Sequence, residues 1–207
     1  IRGGKLVTAN ETYTADIGIK DGRIATLGEN LDGNDIINAD KKLVMPGGIE
    51  AHCHIAQESA NGIMTSDDYE TGSISAAFGG NSCFVPFAAQ KKGESIASTI
   101  AEYDRRAETK SVIDYSYHLI LTDPNENVMN ELPSAFERGI TSFKVFMTYA
   151  TRVSDAQFLD ILTIARRHGG LTMVHAENHD MLSWMSNALT QAGYTEPRYH
   201  APARPSL

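Results

Sequence analysis

Two histidines one residue apart, His52 and His54, end an apolar stretch that begins at Leu43. In an extended strand, side chains two positions apart point to the same face, so both imidazoles would project together. Two convergent imidazoles at the junction of a strand and a loop are a natural pair of metal ligands. Cys53 lies between them and would point to the opposite face, where a small buried core residue is favoured over a thiolate ligand.

Two further strand-like runs carry residues suited to the same chemistry. Lys144 interrupts the apolar run 142–149, and His175 lies near the end of the run 171–176. Burial lowers the pKa of a lysine, and the neutral amine can add carbon dioxide to form a carbamate that could bridge two metal ions. Taken alone, Lys144 is better explained by an ion pair with an acidic residue or by an ammonium that reaches solvent. Its place between the histidine-bearing strands favours the carbamate.

An alternation of strands and helices must position these residues. Apolar strand-like runs occupy 43–55, 82–88, 115–121, 142–149 and 171–176. Such runs, separated by helices, predict a parallel sheet whose strands present their carboxyl ends at one edge. An alternative is a complete doubly wound open sheet, but no G-x-G-x-x-G follows any strand, which weakens it.

Helical patterns fill the gaps between the strands. One helical face consists of Ile96, Ile100, Tyr103 and Ala107. Ser154 and Gln157 form a capping box that begins a second helix. The apolar stripe of that helix is predicted to be Phe158, Leu162 and Ala165. A further helix is marked by Met181, Leu182, Met185 and Leu189.

The sequence predicts a domain boundary near residue 43, where short β-like runs give way to alternating strand and helix patterns. Residues 1–43 read as a small β unit with an Asp21-Gly22 hairpin turn. Residues 44–207 hold about five βα units, whereas a complete (β/α)₈ barrel has eight in about 250 residues. We therefore expect the N-terminal part of a longer protein, truncated before strand six.

Composition excludes several classes of partner. The formal net charge of −8 argues against nucleic acid and against anionic membrane surfaces. No apolar run approaches the roughly 20 residues of a membrane span. Cys53 and Cys83 are the only cysteines, so a disulfide framework is not expected and a reducing, cytoplasmic location is favoured.

Three segments together resemble the dihydropyrimidinase and hydantoinase branch of the amidohydrolase superfamily. They are Pro46–His54, Ser142–Tyr149 and Val174–Asn178, in this order along the chain. Ser66–Tyr69 and Ala203–Pro205 are similar to other segments of the same branch. The combination is specific, whereas any one segment alone is a weak signal.

The resemblance implies an amidohydrolase-type (β/α)₈ TIM barrel with a small N-terminal β-sandwich domain and two divalent metal ions, zinc or manganese. By this resemblance, His52 and His54 bind one metal, and Lys144, as N6-carboxylysine, bridges both. His175 binds the second metal. Tyr149 hydrogen-bonds the substrate carbonyl as it becomes an oxyanion, although an aromatic residue that fills the barrel mouth is the alternative.

The implied reaction opens the ring of a dihydropyrimidine or a 5-substituted hydantoin by hydroxide attack on the amide carbonyl. The family's catalytic aspartate and its last histidine ligand would lie beyond Leu207, so this segment alone is expected to be inactive. The resemblance also implies a small cyclic ureide or imide as substrate and a homo-oligomer, commonly a tetramer. The segment 55–64 departs from the family pattern, as does Cys53, which leaves the substrate open.

Other functions remain open within and outside this chemistry. Allantoinase and other cyclic-ureide hydrolases compete directly, while dihydroorotase is disfavoured because residues 55–63 contain no arginine. A non-enzymatic dihydropyrimidinase-like scaffold is the alternative from another class, and such relatives have lost metal ligands that this chain retains.

The remaining polar residues are given ordinary structural roles. His118 is expected to be a hydrogen-bonded core histidine, and Trp184 to pack within its helical stripe. Glu177 and Asn178 either orient their neighbours or cap the next helix. Helix-end, loop or surface positions are expected for Asp67, Asp68, Lys91, Lys92, His168, His179 and His200.

Overall fold

The computed structural model describes residues 1–59 and 62–204. Residues 60–61 of the loop after the histidine pair, and Pro205 of the family-like segment 203–205, lie outside the described residues. The chain divides into two compact units, Ile1–Gly48 and Ile49–Leu207. Across the described ranges, no helix combines the length and the apolar character needed to cross a membrane.

The first unit consists of short strands. They are β1 (Lys5–Val7), β2 (Thr12–Thr14), β3 (Asp16–Lys20), β4 (Arg23–Gly28) and β5 (Leu43–Val44). Strand β1 pairs with β2 antiparallel and with β5 parallel, while β3 and β4 form an antiparallel hairpin. Asp21 and Gly22 join β3 to β4 with φ of 52° and 72°, which confirms the predicted hairpin turn. The β-sandwich stays a prediction.

The second unit alternates strands with helices. Its strands are β6 (Gly48–Cys53), β7 (Asn81–Ala89), β8 (Asp114–Tyr115), β9 (His118–Ile120), β10 (Ser142–Phe146) and β11 (Leu171–His175). Its helices are α1 (Tyr69–Phe78), α2 (Ile96–Ala107), α3 (Glu126–Glu137), α4 (Asp155–Arg167) and α5 (His179–Gln191). A short 3₁₀ turn follows at Pro197–Tyr199.

The strands of the second unit lie in sequential order in one sheet, β6-β7-β9-β10-β11, and β8 pairs with β7. The pairings β7–β9, β9–β10 and β10–β11 are parallel, which confirms the predicted parallel α/β arrangement. A doubly wound sheet reverses its strand order at a switch point. The described strands show no such reversal, so their order is that of a barrel wall.

Side chains alternate between the two faces of this sheet. One face packs against the helices and includes Phe84, Leu119, Phe143 and Val145, all buried in one hydrophobic core. The predicted face of α2 is confirmed, since its four apolar residues are all buried. The capping box that begins α4 is also confirmed. The opposite face of the sheet carries the candidate site.

Three predicted details are wrong. The strand predicted over 43–55 is two strands, because Leu43–Val44 pairs with β1 and Pro46, which has no N–H, lies before β6 begins. In α4, the predicted stripe is right at Phe158 and Ala165, but Leu162 is 36% exposed and Ile161 is the buried residue of that turn. Trp184 is 69% exposed, and no described residue of α5 is buried.

Candidate functional site

The histidine pair at the end of β6 lies on a shared aromatic base. The ring centroids of His52 and His54 are 5.6 Å apart. Both rings pack on the fully buried Phe87 of β7, at 4.8 and 4.7 Å, and His54 is stacked on it. The two imidazoles therefore share a face of the sheet, as the spacing predicts, and Phe87 on the neighbouring strand β7 supports both rings.

A glutamine fixes the orientation of one imidazole in this pair. His54 Nδ1 lies 2.6 Å from Gln57 Oε1. An amide oxygen only accepts hydrogen bonds, so Nδ1 carries the proton and Nε2 keeps its lone pair for a ligand bond. Thr65 Oγ1 accepts the backbone N–H of Gln57 at 3.1 Å, which anchors the loop. Sequence reasoning missed Gln57, although a polar amide three residues after a proposed ligand was a usable signal.

Lys144 lies on β10 in a partly buried environment beside an aromatic ring. Its side chain is half-buried, and Nζ lies 5.3 Å from the ring centroid of Phe146. Burial lowers the pKa of Lys144 below its ordinary value. Among the residues that the structure describes, no carboxylate forms an ion pair with it. The ion-pair alternative therefore has no support in this part of the chain.

His175, at the end of β11, belongs to a connected polar cluster. Its Nε2 is hydrogen-bonded to Oε2 of Glu177. The other oxygen of Glu177 lies 2.9 Å from Arg204 Nε. The His175 hydrogen bond and the positive charge of Arg204 lower the pKa of Glu177, so this side chain is a carboxylate at neutral pH. Arg204 belongs to the family-like segment 203–205, but no local pattern in the sequence connects it to His175.

Tyr149 lies beside this cluster in a strained conformation. Its ring centroid is 5.2 Å from that of His175, and its hydroxyl donates to Glu177 at 3.3 Å. Its φ of 69° is left-handed, an uncommon value for a bulky residue. Backbone bonds of 3.0 Å from Met147 to His175 and from Val153 to Phe146 close the turn around it. The turn therefore holds the phenol at the carboxyl edge of the sheet.

The side chains proposed as metal ligands are imidazoles and a lysine, and they are spread along the sheet. Imidazoles and a carbamate suit zinc or manganese. Within residues 1–59 and 62–204, no three His, Cys, Asp or Glu side chains form a group that could hold a metal ion. The structure brings His52 to His54 and Tyr149 to His175, with Lys144 on the strand beside β11.

A cavity of about 840 Å³ opens at the same edge of the sheet. Gln57, Phe146 and Tyr149 are among its lining residues, and a 3.0 Å ion pair between Lys91 and Glu58 lies at its wall. Its volume falls within the range of small-molecule sites. His52, His54, Lys144 and His175 are not among its lining residues, so the cavity reaches the candidate site only through Gln57, Phe146 and Tyr149.

The residues assigned to structural roles mostly occupy them. His118 is a core histidine as predicted, because Nε2 donates to Ala51 O at 2.9 Å, Nδ1 accepts from Ser142, and burial lowers its pKa. Burial raises the pKa of the Cys53 thiol to about 11, which supports a core position over a thiolate. Asp68 caps α1, and Asn178 caps α5 by accepting from Met181 N.

Curated relatives resemble the chain along nearly its entire length, although no family model matches it. It is 41% identical to a D-hydantoinase of Geobacillus stearothermophilus over 210 residues, which cover 99% of the chain and 44% of that protein. It is 33% identical over 215 residues to a dihydropyrimidinase of Rattus norvegicus, covering 99% of the chain and 41% of that protein. The chain thus spans less than half the length of these relatives.

Solved structures give the same result. A D-hydantoinase crystal structure matches with a TM-score of 0.89 and 38% identity, over 99% of this chain and 45% of that one. A D-hydantoinase from a Thermus species matches with a TM-score of 0.93 and 28% identity, over 99% and 46%. The two units and the sequential parallel sheet therefore have counterparts in known folds.

Proposed function

Since the chain is a homologue of D-hydantoinases and dihydropyrimidinases over nearly its whole length, we propose that it forms part of a hydrolase that opens a small cyclic amide. The substrate class is a dihydropyrimidine or a 5-substituted hydantoin. One observation carries this proposal: His52, His54 and His175 lie at the carboxyl ends of β6 and β11, two strands of one sheet, and Lys144 lies at the middle of β10, beside β11. Folds of this kind place their chemistry at the carboxyl ends of the strands.

The proposed centre holds two divalent metal ions, zinc or manganese. His52 and His54 would hold one ion, Lys144 as the carbamate of carbon dioxide would bridge both, and His175 would hold the second. When bound, two such ions supply Lewis-acid chemistry, which lowers the pKa of water and polarises a carbonyl. The lowered pKa of Lys144 supports this role, because only the neutral amine adds carbon dioxide.

Tyr149 is proposed as the residue that binds the substrate carbonyl. Its hydroxyl would donate a hydrogen bond to the carbonyl oxygen as negative charge develops there. The closed turn supports this role, because a donor held in place needs no reorganisation during the reaction. The proton that the water loses would pass to the leaving nitrogen through an aspartate that the family resemblance places beyond Leu207.

The finer features of the fold and assembly are proposals of the same kind. We propose a complete amidohydrolase-type (β/α)₈ barrel with an N-terminal β-sandwich, of which this chain supplies the first five strands. Assembly as a homo-oligomer and a cytoplasmic location are proposed from the family resemblance.

The test is a substrate panel with the full-length protein, supplied with zinc or manganese. Dihydrouracil, a 5-substituted hydantoin, allantoin and dihydroorotate are followed by loss of the ring chromophore or by appearance of the ring-opened product. We expect opening of one of the first two, and a loss of more than about a thousandfold in His52→Ala. His168→Asn, at the C-terminal end of α4, is the control and keeps activity. A folded protein that takes up no metal and opens no ring would favour the scaffold alternative.

A further inference from the structure

The cluster around His175 contains two residues that the proposed reaction does not use. Glu177 contacts His175 through one carboxylate oxygen and Arg204 through the other. The side chains of Glu177 and Arg204 are each 27% exposed, so the ion pair is partly shielded from water. Arg204 follows Glu177 by 27 positions, which makes the contact a tertiary one rather than an accident of neighbouring residues.

Helix capping does not explain Glu177. The cap of α5 is Asn178, whose side chain accepts the backbone N–H of Met181 at 3.0 Å. The carboxylate of Glu177 instead accepts from His175, Arg204 and Tyr149. Its contacts are therefore all directed to the site.

The hydrogen bond selects one form of the His175 ring. A carboxylate has no proton to give, so the ring nitrogen that faces it, Nε2, must be the protonated one. In the neutral imidazole this leaves the lone pair on Nδ1. A carboxylate behind a ligating histidine fixes its tautomer and orientation and makes the imidazole a stronger base, and loss of such a partner weakens metal binding by about 10- to 100-fold.

We propose that Glu177, held by Arg204, is a positioning residue that keeps His175 in the Nε2–H tautomer and so leaves Nδ1 as the nitrogen for the second metal ion. This inference rests on the proposed function for the identity of the ligand. It concerns Glu177 and Arg204, which have no role in the proposed reaction and are argued to act through His175. Arg204 acts through Glu177, because its contact holds the carboxylate turned towards the ring.

The test uses the full-length protein and two readouts. In the metal-free protein, long-range ¹H–¹⁵N spectra of the histidine rings report the tautomer of His175. Competition with a zinc chelator then gives the dissociation constant of each zinc ion. The variants are Glu177→Ala, Glu177→Gln and Arg204→Met. The matched control is the exposed neighbouring pair of Arg198 and Glu196, which is 3.6 Å apart and is removed by Arg198→Met and Glu196→Ala.

In the wild type we expect the Nε2–H tautomer and two bound zinc ions. Glu177→Ala should give a mixture of tautomers and weaken one zinc ion by about 10- to 100-fold. Glu177→Gln keeps an acceptor for Nε2–H and should retain the tautomer with a smaller loss of affinity, while Arg204→Met should lie between the two. The control variants should match the wild type.

The inference is overturned if Glu177→Ala keeps both the wild-type tautomer and the wild-type zinc affinity, or if the controls lose as much. Should Glu177→Ala fail to fold, Glu177→Gln and Arg204→Met carry the same comparison. A wild-type protein that binds no zinc contradicts the proposed function instead, and the tautomer measurement still decides whether Glu177 orients His175.

Discussion

Substitutions of two phenylalanines on β7 can distinguish a general loss of stability from a loss of support for the histidine pair. Phe84 and Phe87 are both buried, but they are three residues apart on a strand and therefore face opposite sides. Phe84 lies in the core beneath the helices, 5.9 Å from the ring of Tyr69. Phe87 contacts the rings of His52, His54 and His118. Leucine at either position keeps most of the apolar volume and removes the ring.

We expect Phe84→Leu and Phe87→Leu to lower the free energy of unfolding by similar amounts, about 1–2 kcal/mol, through lost aromatic contacts and imperfect refilling. Their effects on metal binding should differ. Without Phe87, two imidazoles gain rotamer freedom that binding must remove, at about 0.5–1 kcal/mol each. The sum of about 1–2 kcal/mol corresponds to a roughly 5- to 30-fold weaker zinc affinity. Phe84→Leu should leave the affinity unchanged.

Urea unfolding measures the first quantity, and chelator competition at a pH where both variants are folded measures the second. Equal zinc affinities in the two variants would refute the supporting role of Phe87. So would a loss of affinity in Phe84→Leu that matches the loss in Phe87→Leu, because the cause would then be general softening of β7.

Three further outcomes are expected. Tyr149→Phe keeps the ring and removes the donor, so kcat for ring opening should fall about 100- to 1000-fold with an unchanged melting temperature; a fall below fivefold would exclude the oxyanion role. Lys144→Ala should lose zinc by metal analysis, and wild-type protein refolded without carbon dioxide should also bind less zinc until bicarbonate is restored. Glu102, hydrogen-bonded to Arg105 and Arg106, has its pKa lowered from 4.5 to about 2. Its contribution to stability is therefore present above about pH 4.5 and is lost as the pH falls through about 2. Because the carboxylate is 39% exposed, the difference from Glu102→Gln in urea unfolding should stay below about 1 kcal/mol, and a constant difference across pH 2–5 would contradict this cause.

The features that could be predicted from sequence depend on residues only a few positions apart in the chain. The capping box of Ser154 and Gln157 is one such feature, since both partners lie within one helical turn. The buried face of α2 is another, because its spacing repeats the helical period. The pair of His52 and His54 shares a face for the same reason, through the period of two in a strand.

The wrong or missed features depend on what lies across the fold. A helical pattern states which residues share a face but not whether anything covers it, and Trp184 is exposed for that reason. Arg204 reaches Glu177 through a tertiary contact that has no sequence period. The break between β5 and β6 depends on pairing of Leu43 with β1, which the continuous apolar run concealed.

His118 shows how a residue outside the proposed ligand set governs the spacing within it. Its Nε2 bond ends on Ala51, one position before His52, and its Nδ1 bond ends on Ser142, two positions before Lys144. A neutral imidazole donates one of these bonds and accepts the other, so a single buried side chain ties β6 to β10 across the intervening strands. Since a buried polar group without a partner is costly, a slip of either strand would break a bond that the site cannot replace. The hydrogen bonds of His118 therefore fix the position of His52 and His54 along β6 relative to Lys144 on β10.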